Sequence, residues 1–402
     1  MKVFCLGGAG RICRETAADL VEFSDFAEIT IADLDEQAGA EVLAFLNDPR
    51  VNFVKIDIND HADAVAKMRG YDVVVDGTAI SMNGKSSAAI AEAGCHAVNL
   101  NGFGEENRFA STFAEKKRVF VPGFGMTPGV TQMMVMHAAD QLDTVETVRI
   151  SHGAYRPFAF SKSIAETTVF EYDPELPGRI VFEDEEFIQV PPFARPREVE
   201  LPEPYGKTTQ YIIPHTETLT VAEALQHKGV RLIEVRGTWP RKNMLLVRAL
   251  YEWGILRNDK ITVNGSETGV LDCLCEYLLS SEEGTSTELY GYALHVEVTG
   301  ACKDETLCHT LTHTHPASDG SVPGWEGLRA YTRNVGIPMS IAAQLIAHDR
   351  VLKKRTGLLI PEYAFAPEDV FVELAKRDLL IHEAIEYLEV KKDRWTRADG
   401  LA

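Results

Sequence analysis

The chain is short of positive charge. Forty Lys and Arg stand against 60 Asp and Glu in 402 residues, a net charge of −20. So acidic a surface repels phosphate backbones and anionic membranes at long range, so neither nucleic acid nor membrane is an expected partner, and an anionic ligand must be caught by local geometry. Long apolar runs are also missing: no stretch approaches the roughly 18 uncharged apolar residues of a membrane span, and the opening MKVFCLGGAGR is too short an apolar run for a signal peptide. The seven cysteines, Cys5, Cys13, Cys95, Cys273, Cys275, Cys302 and Cys308, are an odd, scattered set unlike a disulfide framework. Reduced thiols and a cytoplasmic location are the expectation. There is no internal repeat.

What remains is an ordinary globular composition, 45% hydrophobic and 25% charged, long enough for two domains. From the start, short apolar runs alternate with helical stretches: Val3–Leu6, Ile29–Ala32, Phe53–Ile56, Asp72–Asp76, Ala97–Leu100 and Val119–Val121 read as six strands separated by helices. Val73-Val74-Val75 is apolar on both faces, as in a parallel sheet covered on each side. This predicts an α/β fold, a Rossmann-type parallel-sheet domain over residues 1–126, followed by an α+β domain with a mixed sheet over 127–330. Strands are predicted at Thr147–His152, Thr208–Ile213 and Leu289–Thr299, and a helix at Met244–Trp253. The Pro-rich, acidic stretch from Tyr172 to Tyr205 reads as an irregular excursion or lid. Amphipathic helices follow at Ile337–Arg355 and Pro367–Lys376, within a final block, 331–402.

Directly after the first strand, Gly8 and Gly10 in GGAGRIC occupy the first two positions of a dinucleotide fingerprint, with Cys13 in place of the third glycine. The first two permit the tight turn and close approach of a diphosphate; the third only eases helix-to-strand contact, which a small Cys can serve. Gly8, Gly10, Arg11 and Ile12 are therefore expected at a dinucleotide, held by the N-terminus of the following helix. Asp33 closes the second strand, where a carboxylate accepts from both ribose hydroxyls; with Asp35 nearby and no Lys or Arg between Arg14 and Arg50, NAD is expected rather than NADP. Asp57 is a candidate for the adenine amino group, against a role as a strand-end or cap residue, and Gly77 and Thr78 end the fourth strand beside the nucleotide path. In VPGFGMTPGV, Gly123, Gly125 and Gly129 read as a floor for a flat ring or as a hinge, with Thr127 placed to cap a helix and Pro128 in its first turn.

GGAGRIC, IADLD, VPGFGMTPGVTQMM, PHTETLT, EVRGTWP and VGIPMSIAAQLI resemble the saccharopine dehydrogenase family over nearly the whole chain. The resemblance implies a Rossmann domain completed by C-terminal helices, a mixed-sheet second domain that often mediates dimerisation, and hydride transfer at a C–N bond. It is strongest to the branch that oxidises lysine at its ε-carbon, with reactions on secondary amines of the saccharopine or carboxynorspermidine type as the alternative. A small amino-acid or amine substrate and a homodimer follow as expectations.

Amine oxidation requires a base, because only the neutral amine has a lone pair to drive hydride out. His215 and Glu217 in PHTET are the candidates, sharing one face if the segment is extended. Arg236 and Thr238 in EVRGTWP are candidates for a substrate carboxylate, with Arg241 and Lys242 behind them. Cys308, His309, His313 and His315 have the residue types of a zinc site, but on a strand Cys308 points away from the three histidines, so no metal is expected. A short-chain dehydrogenase would need Tyr and Lys four apart in mid-domain, and the pair with that spacing, Tyr387 and Lys391, comes too late in the chain. A non-catalytic NAD sensor is the rival outside enzymology; it predicts cofactor binding without turnover.

Overall fold

A computed structural model describes residues 1–388 except 103, 162–163, 166, 168–170, 177 and 257–258. Six strands, β1 (Lys2–Leu6), β2 (Glu28–Asp33), β3 (Val51–Lys55), β4 (Val73–Asp76), β5 (His96–Asn99) and β6 (Val119–Val121), form a parallel sheet in the order β3-β2-β1-β4-β5-β6. Val73, Val74 and Val75 are fully buried, as their two-faced apolarity requires. The strand order reverses between β1 and β4, which opens a crevice at the carboxyl ends of the strands.

The second sheet is mixed. Its central strand, β7 (Thr144–Tyr155), runs parallel to Leu232–Thr238 and antiparallel to Gly291–Cys302, so the predicted strands are all present and longer than expected. The sheet continues from Leu232–Thr238 to Gly206–Ile212 and Arg197–Leu201, and from Gly291–Cys302 to Glu305–Thr314 and Leu380–Leu388. One face is apolar: Val148, Ile150, Ile233, Val235, Leu294, Val296 and Val298 are buried against the core that also contains Met133, Ile337 and Ile341. The opposite face carries a charged ladder in register, with Glu234 beside Arg149 and Glu297 beside the same Arg149.

The stretch from Tyr172 to Tyr205 is no irregular lid. Its described residues form a hairpin, Ile180–Glu183 with Glu186–Gln189, that pairs with Leu232–Thr238, and then the edge strand Arg197–Leu201. Val181, Val199 and Leu201 are buried at alternating positions that proline and acidic neighbours disguise in the sequence.

Beyond residue 327 the chain returns to the first sheet. The Leu328–Ala347 helix packs on the Cys13–Phe23 helix: Thr16 Oγ1 donates to the Gly336 carbonyl at 2.9 Å, and a Cβ on Gly336 would sit 2.8 Å from the Ile12 carbonyl. Arg329 grips buried Glu15 with two bonds of 3.0 Å, and Arg377 reaches Asp19 at 2.7 Å. Gly357–Leu358 adds a seventh strand beside β6. Leu380–Leu388, including Tyr387, then crosses to the second sheet; Lys391 and the rest of 389–402 lie outside the described residues.

Candidate active site

The turn after β1 is shaped by backbone crowding. Gly7 adopts φ +68°, and a Cβ on Gly8 would come within 2.6 Å of the Cys5 carbonyl, so a side chain at either position would strain the turn. Asp33 braces the turn as well as facing the crevice, its Oδ2 accepting from Ala9 N–H at 3.1 Å. Ile12 caps the Cys13–Phe23 helix with no side-chain hydrogen bond, while the Arg14 N–H donates to the Gly10 carbonyl at 2.9 Å and the Glu15 N–H to the Ile12 carbonyl at 3.0 Å. Cys13 is buried, its sulfur against the place a Cβ on Gly77 would occupy, so it fills the helix-to-strand contact, and it also lines the cavity that runs from the turn. Buried Asp76 holds the Thr78 N–H and hydroxyl at 3.0 and 2.7 Å, which fixes the Gly77–Thr78 turn beside it.

A cavity of about 350 Å³ runs from this turn to the apolar face of the second sheet. Gly10, Arg11, Ile12, Gly77, Thr78, Gly125, Met126 and Thr127 line one side; His152, Arg156, Glu171, His215, Trp239, Tyr292 and Tyr331 line the other. Gly8, Asp33 and Gly123 stand just behind that lining, Gly123 at φ +67° with its N–H on Asn99 Oδ1. Asp57 does not line it: exposed in the turn after β3, it accepts from the Asn59 N–H and the Asn59 amide at 2.9 Å, and the cap of the next helix is Asp60. The helix expected to start at Thr127 begins at Val130 with Gly129 as its cap, because Gly129 at φ +121° lies so close to Gly125 that a Cβ would be 2.3 Å from its carbonyl. Thr127 and Pro128 thus stay in the loop, free to line the cavity.

His215 and Glu217 come together, but not along a strand. Glu217 opens the Glu217–Leu225 helix, and its Oε2 lies 3.3 Å from His215 Nδ1 while Oε1 accepts from Thr131 Oγ1 at 3.1 Å. Only His215 reaches the cavity; Glu217 is fully buried behind it. Burial opposes charge on His215, but the Glu217 carboxylate, helped by Glu171, outweighs it and raises the imidazole pKa above its ordinary value. His152 goes the other way. Burial, with His215 and Arg156 adding repulsion, holds it well below the ordinary histidine range, and among the described residues neither of its ring nitrogens has a hydrogen-bond partner. The two rings lie 5.4 Å apart, and Tyr292 stacks on His152 at 5.7 Å.

Arg236 and Thr238 do not join this constellation. Their strand presents Val235, Gly237 and Trp239 to the cavity side, so alternation turns Arg236 and Thr238 to the opposite face. There Arg236 bonds Glu234 at 2.9 Å and the Arg195 carbonyl, an element of the charged ladder, and Thr238 donates to the Trp239 carbonyl. Arg241 and Lys242 open onto a separate cavity on that same face, with Lys242 bonded to the Glu283 carbonyl.

The cation that does face the cavity is Arg156, which the sequence reading missed. It lies just beyond β7, its guanidinium 5.6 Å from the Trp239 ring and 5.7 Å from the Tyr331 ring. Glu171, also missed, is its acidic counterpart; burial raises its carboxyl pKa, partly opposed by His215, Arg156 and Arg179. A strand-period reading of His152 with Val148 and Ile150 would have placed that histidine on the inner face, but nothing in the sequence marks Glu171. Among the Cys/His residues near 308, His309 bonds Glu383 at 2.7 Å and His315 stacks on Trp325. No group of three metal-ligating side chains occurs among the described residues.

The glycine turn after β1, the acidic residue that closes β2 and the cavity between the two sheets are the frame of an NAD(P)-dependent oxidoreductase. Residues 3–119 match the saccharopine dehydrogenase NADP binding domain and residues 125–379 the saccharopine dehydrogenase C-terminal domain. The chain belongs to the saccharopine dehydrogenase family. It is similar in fold to the L-Glu-forming saccharopine dehydrogenase of Saccharomyces cerevisiae, at 12% identity and TM-score 0.72 over 96% of this chain and 99% of that one. It is also similar to a homospermidine synthase of Legionella pneumophila in complex with NAD, at 11% identity and TM-score 0.62 over 98% and 94%. Among the described residues no helix is long and apolar enough to cross a membrane.

Proposed function

We propose that the cavity oxidises the ε-carbon of L-lysine with NAD. The observation that carries this reading is that His215, backed by Glu217, shares one cavity with the Gly10–Ile12 turn. Bound NAD supplies the hydride acceptor. His215 takes the proton that the ammonium must lose, the freed lone pair forms the C=N bond as hydride leaves the carbon, and water then releases a semialdehyde and ammonia, or the second amine closes a cyclic imine. Arg156 attracts the carboxylate and Glu171 the remaining ammonium, a charge pair suited to a zwitterion. A secondary amine joining two amino-acid skeletons brings more carboxylates, whereas Arg156 is the described lining arginine outside the nucleotide turn, where Arg11 sits. Asp33, with no Lys or Arg between Arg14 and Arg50 in the sequence, supports NAD over its 2′-phosphate relative.

The test is NADH formation at mildly alkaline pH with NAD or NADP against lysine, ornithine, saccharopine and polyamines. Turnover of lysine with NAD is expected. Faster turnover of saccharopine would replace the substrate, and cofactor binding without turnover of any amine would remove the enzymatic reading.

A further inference from the structure

The second cavity, about 1050 Å³, takes no part in the chemistry above. It lies between the Gly206–Ile212 strand, the start of the Arg241–Glu252 helix and residues 286–289, and Trp239 lines both this cavity and that of His215. Its charge runs against that of the whole chain, in which acidic residues outnumber basic ones by 60 to 40: Lys207, Arg241 and Lys242 line it with a single carboxylate, Glu288. Lys207 is paired with Glu198 at 2.6 Å and Lys242 donates to the Glu283 carbonyl at 3.0 Å, but Arg241 has neither hydrogen bond nor ion pair among the described residues. Arg241 also opens its helix behind Pro240, which offers no side-chain cap; the turn's first bond runs from Met244 N–H to the Pro240 carbonyl at 3.1 Å. The N–H groups of Arg241, Lys242 and Asn243 have no acceptor among the described residues, and such a helix end favours an anion.

Tyr155 is an independent sign of a ligand. It lines the cavity at only 4% exposure, and its hydroxyl has no hydrogen-bond partner among the described residues. Tyr205, whose ring stacks on it at 4.1 Å, by contrast donates its own hydroxyl to the Tyr290 carbonyl at 3.1 Å. A buried hydroxyl left unmet is costly, so a partner from outside the chain is called for. We propose that this cavity binds a nucleoside phosphate, separately from the dinucleotide cofactor. The phosphate sits at the start of the Arg241–Glu252 helix between Arg241 and Lys242, where charge-assisted bonds and helix amides act together. The base lies against the aromatic wall that Trp239 and the tyrosines provide, where the Tyr155 hydroxyl finds its partner. The space, about 1050 Å³ against about 350 Å³ for the His215 cavity, accommodates both parts of such a ligand.

Calorimetric titration of GMP and UMP into the NADH-saturated full-length protein tests this, because the cofactor then occupies its own crevice and neither probe carries adenine. At least one of the two should bind at one further site, with its nucleoside and inorganic phosphate each at least about tenfold weaker. R241A/K242A should weaken that binding at least about tenfold and Tyr155→Phe by about three- to tenfold, with NADH affinity and circular dichroism unchanged in both. No binding of either nucleotide, binding indifferent to R241A/K242A or to Tyr155→Phe, or inorganic phosphate that binds as tightly as the nucleotide would overturn the assignment. None of these readouts depends on lysine turnover, so the site and the proposed reaction stand or fall separately.

Discussion

His215 Nδ1 and Glu217 Oε2 lie 3.3 Å apart across the junction where an extended segment becomes a helix, so one residue faces the cavity and the other is sealed behind it. In the proposed reaction the arrangement divides labour: His215 would exchange the proton, and Glu217 would set how readily it does so.

That division predicts a pH signature. His215 must be neutral to accept a proton, so kcat/KM should rise with pH through its elevated pKa. Glu217→Gln removes the carboxylate that raises this pKa, so the rising limb should move to lower pH while cofactor binding is retained. His215→Ala should lower kcat by about 100-fold or more. A limb that stays in place in Glu217→Gln would show that another group titrates.

Arg156 and Arg236 separate binding from stability. Arg156→Ala should raise the lysine KM by roughly ten- to a hundredfold, the loss of a charge-assisted contact of about 1.5–3 kcal/mol. Arg236→Ala should leave KM near normal but destabilise the fold by about 1–3 kcal/mol, because buried Glu234 loses its 2.9 Å partner and keeps only Arg149 at 3.6 Å. Equal KM effects in the two variants would contradict the two-faced assignment.

Two substitutions separate the bond that Asp33 makes to the turn from its proposed contact with the ribose. Asp33→Asn retains an acceptor for the Ala9 N–H, while Asp33→Ala removes it. Both should relax discrimination against NADP, but only the alanine should also loosen the turn and weaken the two cofactors together. Unchanged dissociation constants, read by NADH fluorescence, would sink the ribose assignment.

How much of this was legible beforehand depended on whether the chemistry was local. The glycine turn, Asp33 and the valine-rich strands follow from short-range rules, and the structure has them at those residues. His215 and Glu217 were found by residue type, although their meeting depends on a helix start that an extended reading did not foresee. Arg236 failed because the strand's period, not its composition, decides which face a side chain takes: Gly237 faces His152, so its neighbours cannot. Arg156 and Glu171 were invisible because the cavity joins strand, loop and helix residues far apart in the chain, which only the tertiary fold brings together.

Glu362 offers a pH test of the core itself. Burial raises its carboxyl to about 7, with Thr220 and Gln132 pulling the other way. The folded state then holds its proton more tightly than the unfolded one, so stability present below about pH 4.5 is lost as pH rises toward 7, on the order of 3 kcal/mol. Glu362→Gln should flatten that loss in urea titrations at successive pH values, and a wild-type midpoint that climbs steadily over the same range would refute it.

The chain's path has a consequence for how the molecule can come apart. Because residues after 327 first clamp the Cys13–Phe23 helix, then extend the parallel sheet at Gly357–Leu358, and finally enter the mixed sheet at Leu380–Leu388, each lobe is completed by polypeptide that has already visited the other. Cutting at the middle loop would yield two fragments, one missing its covering helix and neither able to fold as a self-sufficient unit, so the lobes should melt in a single transition.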